Sequence, residues 1–197
     1  MSKGSLIVVT GPSGAGKGTV LKRVLPHMDK LYYSVSLTTR RPRPGERDGI
    51  DYHFCSEAQA REMIANGQML EYAEYVGNIY GTPAGPVDAQ LSQGVDVVLE
   101  IEVQGALQVS ARRPDAPLIF ITTSSFTELE RRLRGRGTES EEKVARRLAT
   151  AREEYRQIDA FQFIVLNDQA DTAAAELMAI IQAERCRTVR RREYLSI

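Results

Sequence analysis

The stretch "SLIVVTGPSGAGKGTV" at residues 5–20 limits the possible folds more than any other part of the chain. It reads as an apolar strand, a glycine-rich turn, a lysine and the start of a helix, the order that a phosphate-binding loop requires. Gly11, Gly14, Gly16 and Gly18 let backbone N–H groups converge on phosphate oxygens, backed by the positive end of the following helix. Lys17 adds a point charge for β- and γ-phosphates. The loop therefore assigns Gly11, Pro12, Ser13, Gly14, Ala15, Gly16, Lys17, Gly18 and Thr19 to the phosphates of a nucleoside triphosphate. Position 18 departs from the G-x-x-x-x-G-K-[S/T] pattern, because a glycine stands where a hydroxyl would touch Mg2+. Either Thr19 supplies a hydroxyl from the next position, or Mg2+ is held by nucleotide oxygens and water. The bland alternative, a glycine-rich turn with an exposed lysine, is weakened by the strand and helix in their required places.

Three more apolar runs have strand length: "VDVVLEI" (95–101), "PLIFITT" (117–123) and "FQFIVL" (161–166). Apolar residues on consecutive positions suit strands covered on both faces. Helical patterns over 17–25, 127–134, 141–155 and 170–186 alternate with them. Strand alternating with helix predicts an α/β fold with a parallel sheet flanked by helices. Two segments interrupt the rhythm: residues 34–90, dense in Pro, Gly and charge before a helix announced by Ser56-x-x-Gln59, and the polar "RGRGTESEE" at 134–142. The 197 residues, 42% hydrophobic, suit one domain carrying inserted lobes. Twenty-six basic against 26 acidic residues leave no net charge, which argues against broad attraction to nucleic acid or an anionic membrane. With two distant cysteines, no signal peptide and no apolar run of spanning length, a reduced, cytoplasmic protein is expected.

Further candidates follow from residue chemistry. Alternation along "VDVVLEIE" puts Glu100 and Glu102 on one side near the strand's C-terminal end, where open parallel sheets collect ligands. The pair could orient hydrated Mg2+ or an acceptor; alternatively, one of them caps the next helix. Residues 36–54 concentrate Arg40, Arg41, Arg43 and Arg47 with Tyr52, which suits either a phosphate site or a solvated charged loop. "MLEYAEYVGNIYGT" supplies Glu71, Tyr80 and Thr82. A carboxylate can accept from the N1–H and N2–H2 edge of guanine, and hydroxyls such as Ser36 and Thr82 can donate to O6. Arg131, Arg132, Arg134, Arg136, Arg146 and Arg147 surround a hinge candidate at Gly135 and Gly137. They serve either a phosphoryl group in transit or i,i+4 pairs with Glu139, Glu141 and Glu142.

The motifs "GPSGAGKGT", "SVSLTTRRPRPGERDGIDYHF", "LEYAEYVGNIYGT", "LEIEVQGA", "RLRGRGTESEE" and "VLND", in this order and spacing, resemble guanylate kinases of the bacterial type, across roughly residues 4 to 185. The resemblance implies an ATP:GMP phosphotransferase using Mg2+, with a core (1–33, 91–133, 156–197), a mobile GMP-binding lobe (34–90) and a lid (134–155). It implies that Ser36, Glu71 and Thr82 read guanine and that Arg40, Arg43, Tyr52 and Tyr80 hold the GMP phosphate. Glu100 and Glu102 are placed on the GMP and Mg2+ side. Arg132, Arg136 and Arg147 would reach the nucleotide phosphates beside Lys17, and Asn167 would lie beside adenine. Family members commonly carry Asp where this chain has Glu102, whose extra methylene keeps the charge and extends its reach. The resemblance also allows a homodimer. Two other readings stay open: a guanylate-kinase-like module that binds a phosphorylated peptide, and a kinase acting on another phosphorylated acceptor such as a ribose bisphosphate.

Overall fold

The computed structural model describes residues 3–135 and 140–195. Arg136, Gly137 and Glu139 lie outside the described residues. The chain begins with β1 (Leu6–Thr10), α1 (Lys17–Val24) and β2 (Leu31–Tyr33). It continues through β3 (Leu37–Thr38), β4 (His53–Phe54), α2 (Glu57–Ala65), β5 (Met69–Tyr75) and β6 (Asn78–Pro83). Then come α3 (Ala84–Ser92), β7 (Asp96–Glu100), α4 (Val103–Arg112) and β8 (Leu118–Thr122). The final part holds α5 (Phe126–Arg134), α6 (Glu141–Tyr155), β9 (Phe163–Leu166) and α7 (Ala170–Arg185).

Among the described residues, β2-β7-β1-β8-β9 form a parallel sheet in that order. Its strands are apolar on consecutive positions because both faces are covered. Leu6, Val8, Val97, Leu99, Leu118 and Phe120 pack toward Val87 of α3 and Val103, Ala106 and Val109 of α4. Ile7, Val9, Val98, Ile119, Ile121 and Val165 pack toward Val20, Leu21 and Val24 of α1 and Ala173, Ala174, Leu177 and Ile181 of α7. Each fully buried Val, Leu or Ile stabilises the fold by roughly 1.5–3 kcal/mol. Register pairs Val9 with Glu100 and Thr10 with Phe120, so β1, β7 and β8 end side by side. The phosphate loop leaves β1 at that end, which is where ligands bind in open parallel sheets.

A second sheet, ordered β4-β3-β6-β5, is mainly antiparallel and lies within residues 37–83. The sequence patterns did not reveal it: β3 and β4 are two residues each, too short for a periodic signal. The predicted helix start is present: Ser56 accepts from the Gln59 N–H, and the Gln59 side chain accepts from the Ser56 N–H at 2.9 Å. Helix α2 covers a small core of Leu37, Ala60, Met69 and Ile79. Helices α5 and α6 share another, built from Leu129, Leu133, Val144, Leu148 and Ala151. The described residues contain no helix long and apolar enough to cross a membrane.

Candidate active site

The phosphate loop is shaped by two glycines at which backbone angle and close contacts both disfavour a side chain. Gly11 has φ +139°, and a Cβ there would lie 2.0 Å from the Ile121 carbonyl oxygen, so only glycine can pass β8 so closely. Gly16 has φ +83°, and a Cβ would meet Asn167 Nδ2 at 2.5 Å. That amide is part of the loop's support: Asn167 is buried and donates to the Ala15 carbonyl at 2.6 Å. Lys17 Nζ donates to the Gly11 carbonyl at 2.5 Å, which holds the ammonium over the loop.

Ser13, Gly14, Gly16, Lys17, Gly18, Thr19, Lys22 and Glu100 line a cavity of about 300 Å3. Lys22 belongs to this lining although the motif does not include it; its position four residues after Gly18, on the same helix face, is the available signal. At Gly18, a Cβ would have 3.6 Å to both carboxylate oxygens of Glu100, so the position without a hydroxyl faces a carboxylate. Tyr33 donates its phenol to Glu100 Oε2 at 3.1 Å, and burial together with Glu100 pushes that phenol well above the usual tyrosine range. Pro12 and Ala15 are buried under the loop, and Thr19 is exposed on α1.

Glu100 and Glu102 do not share a strand face, contrary to the alternation expected from the sequence. β7 ends at Glu100, and Glu102 is the N-cap of α4, where strand alternation no longer applies. The Glu102 side chain makes no capping bond. Its charge instead acts on two buried carboxylates, Glu71 and Glu154. Glu154, on α6, is pushed up to about 7 by burial and then by Glu102, while Lys17 pulls it down. Sequence reasoning missed Glu154, yet it continues the buried stripe Val144, Leu148, Ala151 at helical spacing.

In the second sheet, Glu71 on β5 and Thr82 on β6 sit opposite each other and are both buried. Thr82 donates to Glu71 Oε1 at 2.6 Å. Burial raises the Glu71 carboxyl above its ordinary range, and the Thr82 bond opposes that shift. Arg40 lies with its guanidinium 5.4 Å from the Tyr52 ring centre, and Tyr52 meets Tyr80 edge-on at 6.0 Å. Glu46, which the motif reading left out, holds Arg40 Nη2 at 2.9 Å and raises its pKa. Arg43 is exposed and gives its backbone N–H to Glu46. Ser36 is half-buried beside β4, accepting the His53 N–H on its backbone oxygen. Arg41 and Arg47 are exposed.

Arg132 is docked against the loop after β9: its Nε reaches Glu128 at 2.7 Å and its Nη1 donates to the Asn167 carbonyl at 2.8 Å. Glu128 is held down to about 2 by Arg131 and Arg132. Arg131 pairs with Glu128, Arg134 with Glu130 and Glu141, and Arg146 with Glu142, so these three arginines serve surface ion pairs. Arg147 is half-buried on α6. Cys55 is half-buried and Cys186 exposed, and neither forms a disulfide.

Comparison with known proteins agrees with this arrangement over nearly the whole chain. The family model described as guanylate kinase matches residues 3–184. A guanylate kinase of Streptococcus thermophilus is 53% identical over 189 residues, covering 95% of this chain and 90% of the relative. One from Thermus thermophilus is 50% identical over 195 residues, covering 99% and 88%. The crystal structure of guanylate kinase from Anaplasma phagocytophilum superposes with a TM-score of 0.77 at 30% identity, covering 96% of this chain and 90% of that one. With the family model matching residues 3–184 and relatives about 50% identical over nearly the whole length, the chain belongs to the guanylate kinase family.

Proposed function

We propose that the chain transfers the γ-phosphoryl group of ATP to GMP, giving ADP and GDP. The observation that carries this reading is the buried Glu71 carboxylate, which Thr82 engages through one oxygen only. Two carboxylate oxygens offer about four lone-pair sites, so Glu71 retains capacity for the N1–H and N2–H2 donors of guanine. Adenine presents an unprotonated N1 to the same oxygens and leaves a buried acceptor unpaired, which discriminates strongly against AMP. Ser36 donates to O6, while Thr82, whose single proton goes to Glu71, reads the base through that carboxylate by holding it in place. Arg40, released from Glu46, binds the GMP phosphate with Arg43, Tyr52 and Tyr80.

The loop amides from Gly11 to Thr19 and the Lys17 ammonium hold the ATP phosphates, and Asn167 braces the loop beneath them. An oxygen of the GMP phosphate attacks the γ-phosphorus in line, and the bond to the β–γ bridging oxygen breaks. Lys17, Arg132, Arg147 and Arg136 neutralise the charge that spreads over the transferred group. No covalent enzyme intermediate is needed, because the acceptor oxygen is already anionic. Lobe 34–90 brings GMP, segment 134–155 acts as the lid, and the remaining residues form the core.

Mg2+ fits as a hydrated ion on the nucleotide. Among the described residues no group of three or more His, Cys, Asp or Glu is arranged to hold a metal, whereas Glu100 faces the loop cavity at Gly18. Glu100 would hold its water shell, with Thr19 and Glu102 as the nearby alternatives. When bound, the ion neutralises phosphate charge. Such an enzyme works on free nucleotides and fits a cytoplasmic location; a homodimer is open to a solution mass measurement.

A coupled assay with ATP and GMP, AMP, UMP or ribose phosphates tests the proposal, with Lys17→Ala as the inactive control. Turnover with GMP alone is expected. Turnover with no acceptor would overturn it in favour of a binding module, and preference for a ribose phosphate would reassign the acceptor.

A further inference from the structure

Gly105 lies in the first turn of α4, against the Glu71 carboxylate. A Cβ at this position would stand 2.5 Å from Glu71 Oε2, 3.1 Å from its Cδ and 3.3 Å from its Cγ. Space is what the position demands. The same face of α4 is tied to the same strand: Gln108 accepts from the Tyr72 N–H at 3.1 Å and donates to the Tyr72 carbonyl at 2.9 Å. One turn further, Arg112 donates to the Met69 carbonyl. Residues 105, 108 and 112 form one helical stripe, so α4 cannot back away from Glu71 without breaking these bonds. The carboxylate is confined as well, by burial and by its bond from Thr82. A methyl group at position 105 must therefore displace the carboxylate.

We propose that Gly105 is a positioning residue for acceptor choice: its missing side chain sets where the Glu71 carboxylate stands against the acceptor base. This rests on the reading that Glu71 accepts from guanine. Two parallel hydrogen bonds need both oxygens in place, and a shift of about 1 Å can cost about a hundredfold. The phosphate loop and the Arg40 cluster lie on other elements and are left as they are. Alanine is a better helix former than glycine, so the substitution does not weaken α4 itself.

The test is steady-state kinetics and thermal melting of Gly105→Ala, Glu71→Ala and the double variant. Gly105→Ala should raise KM for GMP about tenfold to a hundredfold and leave KM for ATP within about twofold. In the Glu71→Ala background the same substitution should add nothing, since no carboxylate remains to be displaced. Equal losses in both backgrounds, or equal weakening of GMP and ATP, would overturn the role of Gly105. If Glu71→Ala itself leaves KM for GMP unchanged, the guanine-reading role of Glu71 fails, and the positioning role fails with it. If Gly105→Ala does not fold, the double variant decides: folding restored by removing the Glu71 side chain supports the proposal, and a double variant that stays unfolded overturns it.

Discussion

Thr82 and Glu71 face each other across the β5–β6 pair, with the threonine hydroxyl 2.6 Å from Oε1 of a carboxylate that is only 5% exposed. The burial raises the Glu71 carboxyl, so its protonated form is favoured by folding. Such a group contributes stability that is present below its unfolded pKa and lost as pH rises through the folded one. Ionising this side chain within the fold therefore comes at a cost to stability.

Glu71→Gln should separate that cost from function. The amide oxygen can still accept from Thr82, and no charge is buried. Melting at pH 7 should be no lower than in the parent, with the difference in favour of the variant growing from acidic to neutral pH. GMP use should fall by about a hundredfold or more because a donor now faces guanine, while KM for ATP changes little. Thermal scans across pH and two-substrate kinetics check this; a marked loss of melting temperature at pH 7 would contradict it.

Glu154 gives a second pH effect with the same sign. Its pKa is pushed up to about 7 by burial and by Glu102, against the pull of Lys17. Its favourable contribution is complete below the ordinary carboxylate range near pH 4.5 and is lost as pH rises through about 7. Glu154→Gln should flatten the fall in melting temperature between those limits and leave the variant more stable than the parent at pH 8. An unchanged slope would show that Glu154 does not titrate in this window.

The core was legible because its physics is local. Strands buried on both faces leave unbroken apolar runs, and the loop at 11–18 needs glycine at fixed places. The second sheet was not legible, since β3 and β4 are too short to show a period and their pairing depends on distant residues. Glu100 and Glu102 mark the limit of the alternation rule, which ended where β7 gave way to α4. The roles of Gly105 and Asn167 rest on contacts 34 and 152 positions away in sequence, to Glu71 and Ala15, which no local pattern announces.

Two glycines of the loop should respond in opposite ways. Gly16→Ala forces a side chain into the left-handed region and against Asn167 Nδ2, costing about 1–2 kcal/mol for the backbone alone and dislodging the brace on Ala15. Gly18→Ala meets only the Glu100 oxygens at ordinary van der Waals distance. Gly16→Ala should lose ATP binding and melt several degrees lower, by roughly 2–4 °C per kcal/mol in a chain of this size. Gly18→Ala should keep its melting temperature and its KM for ATP within about threefold. Calorimetric titration with ATP distinguishes the two, and equal damage from both would mean that the space at position 18 is already needed.

Arg132 offers the sharpest separation of charge from shape. Its guanidinium spans Glu128 at 2.7 Å and the Asn167 carbonyl at 2.8 Å, a geometry that matches a forked head and not a single ammonium. If the same planar head reaches the transferred phosphoryl group, Arg132→Lys should lower kcat nearly as far as Arg132→Ala, by about three powers of ten, with little change in KM for ATP. Arg131 is the control, since it bears the same charge one residue away but is 72% exposed and paired only at the surface with Glu128. Arg131→Lys should leave kcat, KM and melting temperature unchanged. Single-turnover measurements with saturating ATP and GMP would isolate the chemical step. Near-parent rates for Arg132→Lys would show that positive charge alone suffices at this position and that its fork serves only to dock α5 onto the loop after β9.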